Sequence, residues 1–255
     1  MLLVGWYGRC GSCQPRLTQA VVSTTVDSMT TLTAVAAATP ERPPSRPDRL
    51  LVAGLLAGPL FTAAYLTEGA FRGHGYSSLR HPVSSLALGP QGWAQIATFV
   101  VCGLLVVLFS VGLRRTLRLG PGALVVPLLV AVWGVSLVGA GIFLTDPVGG
   151  YPTAASPLTW HGRVHDLAFS LPGFAALALA MLTASVAFAR RRSGRFARYS
   201  ALSGVAFAVL FVLATTGFAG VDPWASTAGL WQRLSVSVGW LWLFLLAVNR
   251  RRATR

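Results

Sequence analysis

From residue 50 onward the chain alternates between long apolar runs and short polar stretches. Six runs stand out, at about 50–71, 93–113, 122–144, 167–189, 199–221 and 230–249. Each is close to the roughly 20 residues that a helix needs to cross a 30 Å hydrocarbon core. Leu, Ala and Val follow one another in these runs without the strict alternation of a barrel strand. A backbone in lipid must satisfy its own polar groups, so such runs predict helices. Pro59, Pro127 and Pro172 fall within or near the start of the first, third and fourth runs. Gly54 and Gly58 form a small-xxx-small pair in the first, which fits either a close helix approach or plain packing glycines. The expected fold class is all-α, a polytopic membrane protein whose single domain of six transmembrane helices covers residues 49–250.

Composition agrees with this reading. Hydrophobic residues make up 54% of the chain and charged residues 11%. Soluble domains carry about 25% charge. The net charge of +14 is a nucleic-acid signal taken alone, but its placement points elsewhere. There is no lysine, and the arginines cluster beside the apolar runs. One set of flanks holds Arg42, Arg46, Arg49, Arg114, Arg115, Arg118, Arg190, Arg191, Arg192, Arg195, Arg198, Arg250, Arg251, Arg252 and Arg255. The alternate set holds Arg72, Arg80, Arg163 and Arg233. The positive-inside rule then puts both N and C termini in the cytoplasm. The expected location is the cytoplasmic (plasma) membrane, with the lipid bilayer as partner and no nucleic acid. Residues 251–255 form a basic tail.

Residues 1–48 lack a long apolar run and lead into the Pro-rich TPERPPSRPDR, so a disordered tail is expected there. The start has neither a basic n-region nor an h-region, which argues against a signal peptide. Met29 offers an alternative start. Cys10 and Cys13 form a C-x-x-C with no second pair and no βαβ context, and Cys102 reads as a small core residue.

The expected outer face differs in kind from the arginine-rich one. It carries Glu68, Asp146, Asp166, Asp222 and all four histidines, His74, His81, His161 and His165. Acid, base and hard-ligand chemistry has its materials only there. The densest stretch is TDPVGGYPTAASPLTWHGRVHD, from Thr145 to Asp166. A loose repeat of about 70 residues accompanies it. Glu68, Asp146 and Asp222 close the odd helices, and Trp93-x-Gln95, Trp160-His161 and Trp231-Gln232 open the even ones. Interfacial Trp is expected at any membrane helix end, so common ancestry of three hairpins is one reading and the aromatic belt the other.

The segments LRHPVSSLALGPQGW, GIFLTDP, WHGRVHD and GLWQRL, in that order, resemble the membrane-protein family catalogued as domain of unknown function 998 (DUF998). The resemblance covers roughly Leu50 to Asn249. It implies a six-helix integral membrane protein, common in actinobacteria and other prokaryotes, and brings no catalytic assignment.

Two chemistries remain for the outer loops. His161 and His165 are spaced i, i+4 and would share one helix face, the geometry of a two-histidine half-site. Asp146 or His81 would supply a third ligand, Zn²⁺ would suit, and Ser84 and Ser85 lie nearby in sequence. Asp166 is the candidate proton carrier in such a metal-dependent hydrolase acting on a lipid at the outer leaflet. It is equally accounted for as a carboxylate at a helix start. The simpler reading makes the same residues loop fasteners. Asp146 would pair with Arg80 or Arg163, Glu68 with Arg72 or Arg80, and Asp222-Pro223 would make a turn. His161 and His165 would bond loop carbonyls, and His74 would be exposed. The resulting cap would bind a lipid headgroup, a small molecule or a partner. Two histidines lie in the first outer loop and two on one helix turn, so they are compatible with one haem near the outer face and exclude two stacked haems. Coupled transport is disfavoured by the lack of a charge at mid-membrane.

Overall fold

The structure is a computed structural model that describes residues 48–73, 75–117, 120, 122–153 and 157–253. The expected tail before residue 48, the Met29 start, Cys10, Cys13 and His74 lie outside the described residues. Among the described residues, six helices are long and apolar enough to cross a membrane. They are α1 (Leu51–Phe71), α2 (Gly92–Thr116), α3 (Gly122–Ile142), α4 (Trp160–Arg190), α5 (Gly194–Phe218) and α6 (Ala228–Ala253). No strand forms among the described residues beyond an isolated Val148–Tyr151 bridge.

Three helices extend past their apolar runs. α4 begins at Trp160 and not near 167, α5 begins at Gly194 and not near 199, and α6 continues to Ala253. The extra turns carry His161, Arg163 and His165, then Arg195 and Arg198, then Arg250 to Arg252. Hydropathy stops at charge, whereas a helical hydrogen-bond ladder does not.

Each helix packs against its neighbours in sequence, and α6 closes the ring against α1. Aromatic side chains from all six helices fill the middle of that ring. Trp133 meets Trp240 at 6.1 Å and Phe174 at 5.1 Å between ring centroids, and Phe61 meets Trp240 at 5.2 Å and Phe99 at 5.5 Å. Edge-to-face pairs of this kind contribute about 0.5–1.5 kcal/mol each beyond area burial. Phe207 of α5 stacks on Phe174 from the far side.

Gly54 and Gly58 serve as seats for aromatic side chains. A methyl on Gly54 would overlap the Phe109 ring, and one on Gly58 would lie 3.0 Å from Trp240 Cβ. The close backbone approach occurs instead between α2 and α3. A Cβ on Gly103 would stand 2.6 Å from Gly134 O, and one on Gly134 would stand 2.8 Å from Gly103 O. This reciprocal pair lets two helix backbones touch, which is how membrane helices gain packing without a hydrophobic driving force.

The arginine-rich end is tied across the ring. Arg250 donates to Thr116 O at 2.7 Å, joining α6 to the last turn of α2. Arg115 pairs with Asp48 at 3.5 Å.

Substituting Gly134→Leu is expected to force α2 and α3 apart at a cost of about 2–3 kcal/mol, the scale of overpacking. Gly73, whose added methyl would meet nothing within 4 Å, serves as the control. Thermal unfolding of detergent-purified protein should show a lowered midpoint for Gly134→Leu and an unchanged one for Gly73→Ala. Equal midpoints would refute the contact.

Candidate functional site

The loop from Gly73 to Gln91 runs over the histidine-bearing end of the bundle and is short of secondary structure. Nearby backbone N–H groups serve the carbonyls of Gly73, Ser77, Pro82, Ser85 and Gly89, and others take donors from outside the loop. Two arginines from the first and last helices provide them. Arg233, the buried arginine of α6, donates through Nη1 to Ser78 O at 2.6 Å, His81 O at 2.8 Å and Gly229 O at 3.0 Å. Its Nη2 donates to the Tyr76 hydroxyl, and the guanidinium lies 5.7 Å from the Tyr65 ring centre. Arg72, at the end of α1, donates to Leu86 O and Leu88 O and pairs with Glu68 at 3.8 Å. The start of α6 completes the dock. Leu230 N donates to Leu79 O at 3.0 Å, and Gln232 Oε1 accepts from Val83 N at 2.8 Å. Gly229 is needed here because any Cβ would press on the carbonyls of Ser78 and His81.

His81 fastens this loop to the next one. Its Nδ1 accepts the Ser77 N–H at 2.9 Å, which leaves Nε2 as the donor to Gly149 O at 3.2 Å. Gly149 has φ +63, a left-handed conformation that suits glycine and turns its carbonyl toward the ring. Tyr76 and Tyr151 flank the imidazole at 5.6 and 5.4 Å. Burial lowers the His81 pKa; the Gly149 bond opposes this, while Arg80 and Arg233 reinforce it. The neutral ring is the form the site requires, since a proton on Nδ1 would displace Ser77 N–H. Burial likewise raises the Tyr76 pKa, with Arg233 pulling the other way.

Asp146 has a different partner from the arginines expected for it. Both its oxygens are taken by Thr159, the Oδ2 by the backbone N–H at 3.0 Å and the Oδ1 by the hydroxyl at 2.7 Å. Thr159 Oγ1 in turn accepts from Gly162 N at 3.0 Å and caps α4. This is a relay of one carboxylate through one threonine into a helix start. Neither Arg80 nor Arg163 forms an ion pair among the described residues, and both are exposed. Asp222 is exposed in a turn and shares a shallow cleft of about 380 Å³ with Arg80.

The four candidate metal ligands fall into separate environments. His81 uses both ring nitrogens on backbone groups. His161 is exposed and stacks on Trp160 at 3.6 Å. His165 is buried, with Nδ1 2.7 Å from Phe143 O. Asp146 is committed to Thr159. Among the described residues no three His, Cys, Asp or Glu side chains converge to hold a metal ion.

The structure places Asp166 in a setting that spacing did not suggest. Residues His165–Ser170 of α4 form a π-helical segment, with Leu171 N bonding Asp166 O. Pro172 lies just beyond. Proline has no N–H for the Ala168 carbonyl and crowds it, which disrupts the α ladder at this point. Such π segments widen a helix locally and recur at functional sites. Here the segment flanks a cleft of about 390 Å³. Asp166, Ser170, Leu171 and Phe174 line one wall, and Phe211 and Thr215 of α5 line the other, with Ser84 and Gln232 at the inner side. Phe174 and Phe211 stack at 4.0 Å where the walls meet. Ser84, Ser170, Phe174 and Gln232 also border a small chamber of about 40 Å³ farther inside the ring.

Sequence reading did not single out Arg233, Tyr76, Gly149 or Ser170. Arg233 had one visible signal, a lone arginine in the first turns of an apolar helix with no acid nearby.

Arg233→Met should cost about 2–4 kcal/mol, because it strips charge-assisted donors from buried carbonyls. Thermal unfolding in detergent measures it, and a loss below about 1 kcal/mol, the worth of one ordinary hydrogen bond, would refute the role. His81 makes stability depend on pH. The unfolded histidine takes up a proton from its ordinary value of 6.5, and the folded one only below that. The stabilisation is therefore complete above pH 6.5 and lost as the pH falls through the lower folded value. The midpoint of the wild type should drop between neutral and acidic buffer, and His81→Gln should start lower but show a flatter profile.

A family model described as "Protein of unknown function (DUF998)" matches residues 55–249. The chain matches no curated protein and no solved structure in the same comparisons. The match takes in all six helices, apart from the ends of the first and last, and every residue of the cap and cleft. The chain belongs to the DUF998 family and is an integral membrane protein with six transmembrane-capable helices.

Proposed function

We propose that this protein binds a membrane amphiphile in the cleft between α4 and α5, with the fastened loops as its fixed roof. The observation that carries the reading is the composition of the cleft. A carboxylate, Asp166, stands near the loop end with Phe218, and Leu167, Leu171, Phe174 and Phe211 continue the wall toward the interior. From Asp166 to Phe174 the wall descends about 12 Å at the helical rise. Leu167 and Leu171 are exposed on the lipid-facing surface of α4. What reaches such an opening is what the bilayer carries, an apolar chain with a polar end. Mostly apolar walls with a few placed polar groups are the ordinary make-up of small-molecule sites.

The arginine clusters support an orientation with both termini in the cytoplasm, so that the cleft faces the outer leaflet of the cytoplasmic membrane. The adjoining Arg80 and Asp222 cleft, which shares Val148 and Phe218 with the first, lies where a headgroup would emerge. A metal-dependent lipid hydrolase finds less support. It would need His81 to release Ser77 and Gly149, and Asp146 to release Thr159, before the ligands assembled.

Native mass spectrometry of protein released from nanodiscs tests the reading. A discrete lipid-sized adduct is expected on the wild type. Thr215→Trp, which places an indole in the cleft, should lose the adduct at an unchanged thermal midpoint. An adduct of equal occupancy on both proteins, or on neither, would refute cleft binding. Recovery of a cleaved lipid in place of an intact one, dependent on Asp166, would favour the hydrolase.

A further inference from the structure

The chamber inside the ring is bordered by a residue with an unmet hydrogen-bond donor. Trp133 of α3 is 4% exposed, lines the chamber, and its Nε1 has no hydrogen-bond partner. An indole N–H can only donate. Leaving it unpaired in an apolar interior is costly, so native proteins place such groups where an acceptor arrives. The neighbours are hydroxyls and an amide. Ser136 and Ser84 are buried, Ser170 belongs to the π segment, and Gln232 has its carbonyl oxygen committed to Val83 N. The Gln232 side chain therefore has its amide N–H groups left to offer. Its serine hydroxyls can donate or accept, the indole and amide N–H groups only donate, and among the described residues no charged side chain lines the chamber.

That combination selects a ligand group. A carboxylate or phosphate would be buried without a cation, and an ammonium without an anion, and both are strongly unfavourable in a dry interior. A hydrocarbon end would leave Trp133 unpaired. A neutral oxygen, as in a hydroxyl, carbonyl or ether, satisfies the donor at no charge cost. The volume of about 40 Å³ suits one such group and not a headgroup. The chamber adjoins the cleft, with Ser84, Ser170, Phe174 and Gln232 in the lining of both.

Resting on the amphiphile-binding reading above, we infer that the chamber is the recognition end of that cleft. It takes an uncharged oxygen function of the ligand onto the Trp133 N–H, with Ser136 and Gln232 beside it. The ligand class is accordingly an amphiphile that carries, besides the polar end at the loop side of the cleft, an uncharged hydroxyl, carbonyl or ether oxygen that reaches the chamber.

The test uses the full chain in nanodiscs and three probes of equal chain length: 1-octanol, 2-octanone and n-octane. Each is titrated by mole fraction in the bilayer while the thermal midpoint is followed. The two oxygenated probes are expected to raise the midpoint at mole fractions about fivefold lower than octane, the worth of one hydrogen bond. Trp133→Phe should erase that margin and leave the octane response unchanged. Ser136→Ala, a smaller change in the same chamber, should reduce the margin if Trp133→Phe fails to fold. Equal responses to octane and octanol in the wild type would overturn the chamber assignment and leave the cleft reading standing, with water alone on the indole. An oxygen margin that survives both substitutions would also overturn it. No response to any probe, in wild type and Thr215→Trp alike, would remove the cleft reading and this inference together.

Discussion

The arrangement of the histidine-bearing end depends on backbone carbonyls that must find donors away from bulk water. The Gly73–Gln91 loop lies at the end of a membrane bundle and forms only a short 3-10 turn, Val83–Ala87. Arg233 and Arg72 supply donors from opposite ends of the chain, at α6 and α1. Arginine suits this task because its planar fork keeps its charge and serves several acceptors at once. No carboxylate pairs with Arg233 among the described residues, so its charge is balanced by carbonyl dipoles, the Tyr76 hydroxyl and the Tyr65 ring. The same contacts close the ring, since α1 and α6 are neighbours there.

A roof held in this way explains how an open cleft persists beside it. His81 ties the first loop to Gly149 in the second, and Asp146 ties the second to the start of α4 through Thr159. These bonds occupy His81, Asp146 and Thr159. Asp166 lines the cleft, Ser136 and Trp133 line the chamber, and Arg80 lines the adjoining cleft with Asp222. The division of labour follows from chemistry. Groups with short, directional bonds to backbone fix loops, and groups facing a cavity are available to a ligand. The π-helical segment connects the two, because it lies between the capped start of α4 and the interruption at Pro172.

Much of the fold was legible in the chain. Apolar runs of membrane-spanning length predict six helices, and the structure has six. The motifs LRHPVSSLALGPQGW, GIFLTDP, WHGRVHD and GLWQRL carry the family, and they make up its first loop, the end of α3 and the starts of α4 and α6. That Glu68 needs a cation was also readable, because a carboxylate in the last turn of an apolar helix demands one within reach; the chain offered Arg72 or Arg80, and the structure pairs it with Arg72. Helix ends were less legible where charged residues extend the ladder, as at Trp160 and Arg250.

The candidate site was legible in its materials and not in its pairings. The sequence by itself determined which end of the bundle holds the acids and histidines, because each hairpin returns the chain to the same side. Only the tertiary structure decided that Asp146 meets Thr159 and not an arginine, that His81 bonds Ser77 and Gly149, and that Gly103 faces Gly134. It also decided that Trp133 borders a chamber that shares lining residues with the Asp166 cleft. The physical reason is the difference in range between the two kinds of information. Burial in lipid is a property of some twenty consecutive residues and is written along the chain. A hydrogen bond needs a donor and an acceptor within about 3 Å, and residues as far apart as Tyr76 and Arg233 come that close only once the ring has closed.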